Sequence, residues 1–371
     1  MDPETHHSKL KKYYKTLFPI ETLVSYYTCS NTAPLSHREF SFTRGDIYMR
    51  YKSFQDCASL KKSLLQIIPH KIDIGAIYNQ DPSYKSSDLS PIEKEFCVDI
   101  DISDYDDIRT CCKGASLCHK CWPLMHSAID ILNFAFREWF AFESILWVFS
   151  GRRGIHGWVN DERVIRYNHQ ERSAVAEFIH LYASNQNNKS KIHLSKPHPM
   201  FDMDSPLFAI AEKWFIRIAH DLDWIHNQHI CQFISDEEIR QMVSTLIEES
   251  QVSSVEMLWD AIKDLLLDQK KVKSGGRTLI HEIVYTFVYP RLDINVSKQT
   301  HHLLKSPFVV HPKTGLVCMA IPDDEVLRFD PDSAPSLDKL LDKDPEAMSI
   351  FERSVQTFEK HATRSSVARK E

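Results

Sequence analysis

The sequence has few glycines, no excess of basic residues and no long apolar segment. Only 9 of its 371 residues are glycine, so any phosphate groups would have to be held mainly by side chains rather than by glycine-rich loops. The formal net charge of −6 excludes a basic field over the whole molecule, and binding of a polyanion would depend on local clusters. No apolar run approaches the roughly 18 residues of a membrane span, and we see no apolar signal segment in the first residues.

The length and the apolar content are those of a folded protein with more than one domain. A chain of 371 residues with 43% apolar residues is too apolar to be disordered or fibrous. Nine cysteines are present, and four of them lie between residues 111 and 121. A secreted disulfide framework would spread them more evenly. We therefore expect a soluble protein of a reducing compartment.

The spacing of apolar residues predicts an α/β (α+β) fold, in which a mixed-sheet body is interrupted by an all-helical insertion. Strands are predicted at residues 39–43, 47–51, 72–78, 96–102, 145–150, 155–160, 292–296 and 307–310. Helices are predicted at residues 8–17, 122–140, 207–218 and 255–267, and a last helix at the start signal of residues 344–345. The helical insertion is expected in residues 201–280.

Two aspartates, Asp99 and Asp101, alternate with apolar residues on one predicted strand. Because side chains alternate along a strand, both carboxylates would lie on the same face. Two carboxylates this close repel each other unless cations lie between them, and a pair of hard cations prefers oxygen ligands. The alternative is a solvated strand edge that happens to carry two aspartates. These residues alone favour neither interpretation.

Residues 150–158 combine arginines with a glycine-flanked turn. A predicted strand ends at Ser150, the turn presents Arg152 and Arg153, and His156 lies on the returning strand. Guanidinium groups bind phosphate oxygens bidentately, and small glycines let a triphosphate approach the backbone. A charged hairpin tip is the common alternative. Beside a carboxylate pair, the phosphate-binding interpretation is the better one.

Four cysteines form a third motif, composed of Cys111, Cys112, Cys118 and Cys121. The CxxC spacing of the last two and the four soft ligands suit a tetrahedral Zn²⁺ ion in a closed structural site. The adjacent pair departs from the commoner double CxxC pattern. His119 could replace one ligand, but inside the CxxC we expect its ring to point outward. The alternative is a set of reduced core cysteines.

Residues 290–313 contain a third carboxylate and further basic residues. Asp293 begins a predicted strand and could reach a metal pair, and Lys305 and His311 could add two phosphate donors. Each of these residues, taken singly, is more often an ordinary surface residue. The adjacent His301 and His302 suggest metal ligation, but no third ligand is near them in the sequence.

Together, these segments resemble the small, catalytic subunit of eukaryotic-type DNA primases, within the archaeo-eukaryotic primase superfamily. The matching stretches are HREFSF (37–42), IYMRY (47–51), KIDIGA (71–76), EFCVDIDISDYDD (95–107), CC…C..CW (111–122), SGRRGIHGW (150–158) and YPRLDINVSK…HHLLKSPF..HPKTG (289–315). They occur in the order typical of the family. The doubled arginine is similar to eukaryotic rather than archaeal members.

The resemblance implies roles for the residues at matching positions. The metal-binding catalytic aspartates would be Asp99, Asp101 and Asp293. The nucleotide-phosphate contacts would be Ser150, Arg152, Arg153, His156, Lys305 and His311. The positions that approach the phosphate, ribose or base of the incoming nucleotide are Arg50, Asp73 and Leu303. The structural zinc ligands would be Cys111, Cys112, Cys118 and Cys121. Glu39 and Glu95 match acidic positions near the site, and their roles stay open.

The activity implied by the resemblance is that of a nucleotidyltransferase, a DNA-dependent RNA polymerase that makes short RNA primers on single-stranded DNA for replication. Two Mg²⁺ or Mn²⁺ ions held by the three aspartates would activate the 3′-hydroxyl of one nucleotide. They would also neutralise charge on the α-phosphate and the departing pyrophosphate of the next nucleotide. The basic residues would hold the triphosphate in line. One Zn²⁺ ion would be structural.

The implied partners are a large primase subunit that carries an iron–sulfur cluster, the replicative DNA polymerase alpha complex, single-stranded DNA template and NTPs, with no membrane. The implied location is the nucleus. Residues 1–200 and 281–322 would form the catalytic body, residues 201–280 a helical insertion, and residues 323–371 a linker and a C-terminal helix.

Two other functions share part of this pattern. A repair or translesion primase-polymerase would have the aspartate pair and the arginine turn, but the cysteine cluster and the HHLLKSPF segment favour the replicative subunit. A non-catalytic, zinc-containing scaffold would keep only the fold, and the presence of all three aspartates argues against it.

Overall fold

The computed structural model describes residues 3–28, 33–181, 192, 204–252, 254–272 and 275–367. The chain forms two units. The first comprises Met1–Ile100, Ala141–Glu177 and Leu292–Glu371, and the second comprises Asp101–Phe140 and Phe178–Arg291. Within the described residues, none of the helices has the length and apolar character needed to cross a membrane.

The described strands form two sheets. They are β1 (Arg38–Arg44), β2 (Ile47–Lys52), β3 (Lys71–Tyr78), β4 (Pro91–Glu93), β5 (Phe96–Asp101), β6 (Ile145–Phe149), β7 (Gly154–Val159), β8 (Leu304–Lys305) and β9 (Met319–Ala320). One sheet has the order β2-β1-β3-β4 with β8 also paired to β3, and the other has the order β5-β7-β6-β9. The pairings of β1, β3 and β6 with their neighbours are antiparallel.

The described helices surround these sheets or form the second unit. They are α1 (Pro3–Thr16), α2 (Ile20–Tyr27), α3 (Cys57–Ile67), α4 (Pro123–Phe134), α5 (Glu162–Ile165), α6 (His169–Ile179), α7 (Pro206–Leu222), α8 (Glu237–Glu249), α9 (Val255–Leu267), α10 (Gly276–Val288), α11 (Ile294–Lys298), α12 (Leu337–Leu341) and α13 (Pro345–Val367). The structure confirms the predicted α/β (α+β) class.

Strand β1 has apolar side chains on one face of the first sheet and polar side chains on the other. Phe40 and Phe42 are buried in the apolar core, so the alternation of a strand turns Ser41 to the opposite face. Ser41 pairs across the sheet with Asp73, and Asp73 pairs with Lys305 of β8. The opposite face therefore gathers polar side chains from three strands.

The first and last helices of the first unit pack on the same apolar core. Tyr13 of α1 is fully buried, and its hydroxyl donates to the carbonyl oxygen of Phe308 at 2.8 Å. The ring of Phe351 on α13 lies 6.3 Å from that of Tyr13, and the ring of Phe358 lies 4.5 Å from that of Tyr26. Residues from both ends of the chain thus complete one core.

The second unit is built around packed helices. Helix α7 packs against α4, α9 and α10, and aromatic rings of Phe215, Trp224, Trp259 and Phe287 fill the space between them. Because α4 packs on α7, residues 101–140 group with the helical block. The sequence-based division had placed those residues in the first part of the catalytic body.

Two predicted strands are wrong. Residues 294–298 form α11, because the Asp293 side chain accepts a hydrogen bond from the backbone N–H of Asn295 and caps a helix there. In residues 307–310, only Val310 forms an isolated bridge. Phe308 has a φ of +66°, which interrupts an extended strand. The predicted helix at residues 122–140 is confirmed as α4, with a π-helical turn over Ala135–Trp139 at its end.

Candidate active site and metal centre

Asp99 lies on β5 close to a histidine of the neighbouring strand. Alternation along β5 places Asp99 and Asp101 on one face, and the Asp99 side chain is 34% exposed. Strand β7 lies beside β5 and carries His156, whose Nε2 is 3.5 Å from Oδ1 of Asp99. The structure therefore brings a predicted metal ligand and a predicted nucleotide contact together.

Backbone contacts fix Asp293 beside Asp99. The backbone N–H of Asp293 donates to the carbonyl oxygen of Asp99 at 3.1 Å, and Leu292 forms an antiparallel bridge with Ile100. The Asp293 carboxylate also accepts from the backbone N–H of Asn295 at 3.1 Å. The third predicted carboxylate thus adjoins the first, although the two are far apart in the sequence.

Asp101 is the last residue of β5, and its carboxylate begins a turn. Its Oδ1 accepts from the backbone N–H and the hydroxyl of Ser103 at 2.8 and 2.7 Å. In the part of the chain that the structure describes, the three aspartates are not gathered into a set of ligand atoms within 4.8 Å of one another. Their fit to Mg²⁺ or Mn²⁺ lies in the donor chemistry, since hard cations prefer carboxylate oxygens.

The turn between β6 and β7 is shaped by Ser150 and Gly151. The Ser150 hydroxyl accepts from the backbone N–H of Gly154 at 3.1 Å, which closes the turn. Gly151 has a φ of +84°, and a Cβ there would come within 2.9 Å of His311 Cβ. Only glycine accommodates both the left-handed backbone and this close approach. The half-buried Arg152 lies on the turn that results.

Lys305 and His311 converge on this turn from a distant segment. Lys305 Nζ donates to the carbonyl oxygen of Ser150 at 3.2 Å. Burial is the main cause that lowers the pKa of His311, and together with the positive charges of Lys305, Arg152, Lys313 and Arg153 it brings the pKa to about 4. The imidazole is therefore neutral at pH 7, among cations that could hold a triphosphate.

Asp73 lies on the polar face of the first sheet, opposite Lys305. It is 2% exposed, and its Oδ2 accepts from the Ser41 hydroxyl at 3.1 Å and lies 3.2 Å from Lys71 Nζ. The structure thus places Asp73 beside Lys305, and its contact with the phosphate, ribose or base of a nucleotide stays a prediction.

The Arg50 guanidinium forms an ion pair with the buried carboxylate of Glu39. Its Nε and Nη2 donate to the two oxygens of Glu39 at 2.9 and 3.1 Å, and the Tyr78 hydroxyl also donates to Glu39 at 3.0 Å. The role of Glu39, left open by the sequence, is therefore to orient Arg50 on the polar face of the sheet.

Leu303 packs directly on the first sheet. A Cβ at Gly75 would come within 2.7 Å of Leu303 Cδ2 and within 3.0 Å of Glu39 Cβ. Gly75 is consequently required for the close approach of the chain that precedes β8. Leu303 therefore lies against Gly75, at the position that directly precedes β8.

The four cysteines form a set that fits a tetrahedral metal such as zinc. In the described residues, their sulfur atoms are the one such set with all ligand atoms within 4.8 Å. The Cys111–Cys112, Cys112–Cys121, Cys118–Cys121 and Cys112–Cys118 sulfurs are 3.6, 3.7, 3.8 and 4.0 Å apart. Four sulfurs at about 2.3 Å from one Zn²⁺ ion would be about 3.8 Å apart. The exposed His119 is not part of the set.

Sequence reasoning missed an arginine that supports this cluster. Arg109 is buried, and its Nη1 donates to the sulfurs of Cys112 and Cys121 at 3.6 and 3.7 Å. It also donates to the carbonyl oxygen of Ser116 at 2.8 Å and to the carboxylate of Asp106. It lies two residues before the first cysteine, but that spacing alone does not predict these contacts. A guanidinium here would offset the negative charge of the thiolates if they bound a metal ion.

A buried ion pair, also missed, explains Glu95. Arg38 donates through Nη1 and Nη2 to both oxygens of Glu95 at 3.0 and 2.8 Å. Burial by itself would raise the pKa of Glu95, but the charge and hydrogen bonds of Arg38 lower it below its usual value. Arg38 and Glu39 are adjacent on β1, and alternation sends them to opposite faces. Two adjacent charged residues in an otherwise apolar strand were the sequence signal that could have indicated ion pairs on both faces.

Comparison with known proteins agrees with this geometry. Residues 98–321, more than half of the chain, match the family model of the DNA primase small subunit. The chain belongs to this family. The DNA primase small subunit of Schizosaccharomyces pombe is 33% identical over 346 residues, which cover 89% of this chain and 76% of that protein. Those of Caenorhabditis elegans and Drosophila melanogaster are 33% and 34% identical, over 89% and 92% of this chain and 86% and 82% of the relatives.

Membership of the DNA primase small subunit family confirms the resemblance found in the motifs. The matched segment runs from the residue before Asp99 to the residue after β9, and it includes the cysteine cluster, the arginine turn, Asp293 and Lys305. Arg50 and Asp73 precede it. The alignments cover between 76% and 86% of the length of these three relatives.

Proposed function

We propose that the chain is the catalytic subunit of a DNA primase, a DNA-dependent RNA polymerase that synthesises short RNA primers on single-stranded DNA for replication. The observation that carries the proposal is the backbone hydrogen bond from Asp293 to Asp99. It joins two carboxylate-bearing segments beside His156, which the phosphate-binding turn positions. Membership of the primase small subunit family supports the same activity.

In this mechanism the residues of the chain bind and orient the reactants. Asp99, Asp101 and Asp293 would hold two Mg²⁺ or Mn²⁺ ions. When bound, these ions would supply charge neutralisation and a lower pKa for the attacking 3′-hydroxyl. The cations of the turn hold the triphosphate in line with that hydroxyl, which is the main contribution of such sites. Neutral His311 accepts from the backbone N–H of Lys313 through Nδ1, so its other ring nitrogen would donate to a phosphate oxygen without repelling its cationic neighbours.

The remaining assignments of the proposal concern zinc and partners. The cysteine cluster would hold one structural Zn²⁺ ion. The name of the relatives implies a larger partner subunit, and we propose a heterodimer with the large primase subunit, working with the DNA polymerase alpha complex in the nucleus. Template DNA and NTPs are the substrates. We also propose that the catalytic body is formed by residues 1–200 and 281–322.

The test is primer synthesis on poly(dT) with ATP, by the chain alone and with the large subunit. We expect short RNA products that require Mg²⁺ or Mn²⁺ and all three aspartates. A non-catalytic scaffold would bind the large subunit and yield no product with any nucleotide. A repair or translesion primase-polymerase would extend primers with deoxynucleotides at least as well as with ribonucleotides. Either result would overturn the proposed function.

A further inference from the structure

A lysine is buried where the proposed mechanism assigns it no role. Lys94 connects β4 to β5 and is 2% exposed. A buried ammonium group is unfavourable unless it is hydrogen-bonded or paired. The flanking carboxylates have cationic partners of their own, since Glu95 binds Arg38 and Glu93 lies 3.2 Å from Arg166 Nε. Nζ of Lys94 instead donates to the backbone carbonyl oxygen of His302.

His302 belongs to the loop that delivers the predicted nucleotide contacts. This loop, residues 299–303, joins α11 to β8. Arg50 Nη2 reaches the preceding carbonyl oxygen, that of His301, at 3.4 Å. Two cations therefore hold two consecutive carbonyl groups. The residue that follows them is Leu303, packed against Gly75, and Lys305 lies two positions further on.

We propose that Lys94 is a positioning residue for the incoming nucleotide. Its ammonium group fixes the carbonyl of His302 and thereby places Leu303 and Lys305 where the base, sugar and phosphates would lie. This inference rests on the proposed function and adds a residue to it. A charge-assisted hydrogen bond is stronger than a neutral one, so protonated Lys94 holds the loop more firmly than the neutral amine does.

The surroundings of Lys94 make the strength of its hydrogen bond to His302 dependent on pH. The ionisable groups that face it from its own segment, from β1, from α6 and from the loop are Glu95, Cys97, Arg38, Arg172 and His302. Burial is the main cause that lowers its pKa; Arg172 and Arg38 also lower it, Cys97 and Glu95 raise it, and the net pKa is about 8. Lys94 is therefore largely protonated at pH 7 and loses its charge as the pH rises through about 8.

The first experiment compares Lys94→Met with the wild-type heterodimer in primer extension from about pH 6.5 to about pH 9. Methionine keeps the length and apolar stem of the side chain and removes the donor. We expect the KM for NTP at pH 7 to rise about tenfold, the lower end of the effect of one charge-assisted hydrogen bond, while kcat changes less than about twofold. Wild-type KM should rise above pH 8, and that of the variant should stay flat.

Two further variants separate positioning from loss of stability. Lys94→Gln keeps an N–H donor without the charge, and we expect an intermediate KM without the rise above pH 8. Leu64→Ala removes a side chain of the apolar core on α3 that does not belong to the loop or its anchors. Its KM should equal that of the wild type even when its loss of unfolding free energy is as large as that of Lys94→Met. Equal KM increases in Leu64→Ala and Lys94→Met would overturn the inference, as would a wild-type KM and pH profile in both Lys94 variants.

Equilibrium titration of the chain with labelled ATP gives the same comparison without catalysis. A wild-type protein that binds ATP but makes no primer, even when the large subunit is present, would refute the proposed function. The affinity ratio between wild type and Lys94→Met would still decide the role of Lys94. Equal affinities at pH 7 would refute that role even if primer synthesis is normal.

Discussion

Single residues at this site perform two tasks at once, and Asp293 is the clearest case. Its carboxylate accepts the backbone N–H of Asn295 and so begins α11, while its own N–H is bound to Asp99. Structural and proposed catalytic roles are therefore combined in one side chain. Replacement by alanine would remove both and would not tell them apart.

Asp293→Asn separates the two roles. Asparagine caps helices as well as aspartate does, so we expect the free energy of unfolding to change by no more than about 0.5 kcal/mol. A neutral amide is a poor ligand for Mg²⁺, so nucleotide addition should be lost. Urea unfolding and primer extension provide the two measurements. Near-normal extension by Asp293→Asn, in either Mg²⁺ or Mn²⁺, would remove Asp293 from the metal-binding set.

At the scale of elements, local sequence patterns predicted several strands correctly but predicted a strand where the structure has a helix after Asp293. Strands β1, β2, β3 and β5 were predictable because their apolar residues alternate and turn residues bound them. Helix α11 was not, since Ile294 and Val296 favour a strand and a single capping side chain reversed that preference.

The cysteine element was predictable as a ligand set, whereas its supporting arginine was not. Spacing alone identified the four sulfurs. Nothing in the sequence showed that Arg109 would reach two of them together with the carbonyl oxygen of Ser116 and the carboxylate of Asp106. Such contacts depend on how the loop closes, and a one-dimensional pattern does not contain that information.

The next prediction concerns metal retention by this element. Elemental analysis should find about one zinc per chain, by the logic of one ion and four ligands. Cys118→Ser should lower the melting temperature and the zinc content together.

Arg109→Met should keep the four ligands and weaken zinc affinity about 10- to 100-fold, as loss of an outer partner of the ligands does.

Competition with a chromophoric chelator measures the affinity, and Lys113→Met, an exposed neighbour in the same loop, is the matched control. Protein that lacks zinc and melts as the wild type does would refute the structural site. An Arg109→Met variant with unchanged zinc affinity would show that Arg109 contributes only to the folding of the loop and not to zinc binding.

At the scale of the whole molecule, the convergence of distant segments was accessible only through the family resemblance. Lys305 and His311, taken singly, would be interpreted as surface residues. The structure brings both of them to the turn that begins at Ser150. Separation in sequence carries no measure of separation in space. The resemblance supplied the missing link, since the family's motifs occur in a fixed order.

The distribution of charge leads to the last prediction, which concerns template binding. The net charge is −6, and several arginines are already neutralised inside the protein, because Arg38, Arg50 and Arg291 pair with Glu95, Glu39 and Asp107. Binding of single strands normally requires a basic groove with stacked aromatic side chains. The cations of the arginine turn are assigned to the triphosphate. The strongest basic cluster of the sequence is therefore not available to the template.

We accordingly expect the chain alone to bind single-stranded DNA weakly and to extend a primer better than it begins one, because initiation must hold the template and two nucleotides at once. Adding the large subunit should raise initiation much more than extension. Fluorescence titration on a labelled oligonucleotide, at two salt concentrations, measures binding, and de novo synthesis on poly(dT) measures initiation. Salt-sensitive, tight binding by the chain alone, with initiation that the large subunit does not increase, would show that a local groove suffices. The charge argument would then be wrong, because internal pairing of these arginines would not limit the surface available to DNA.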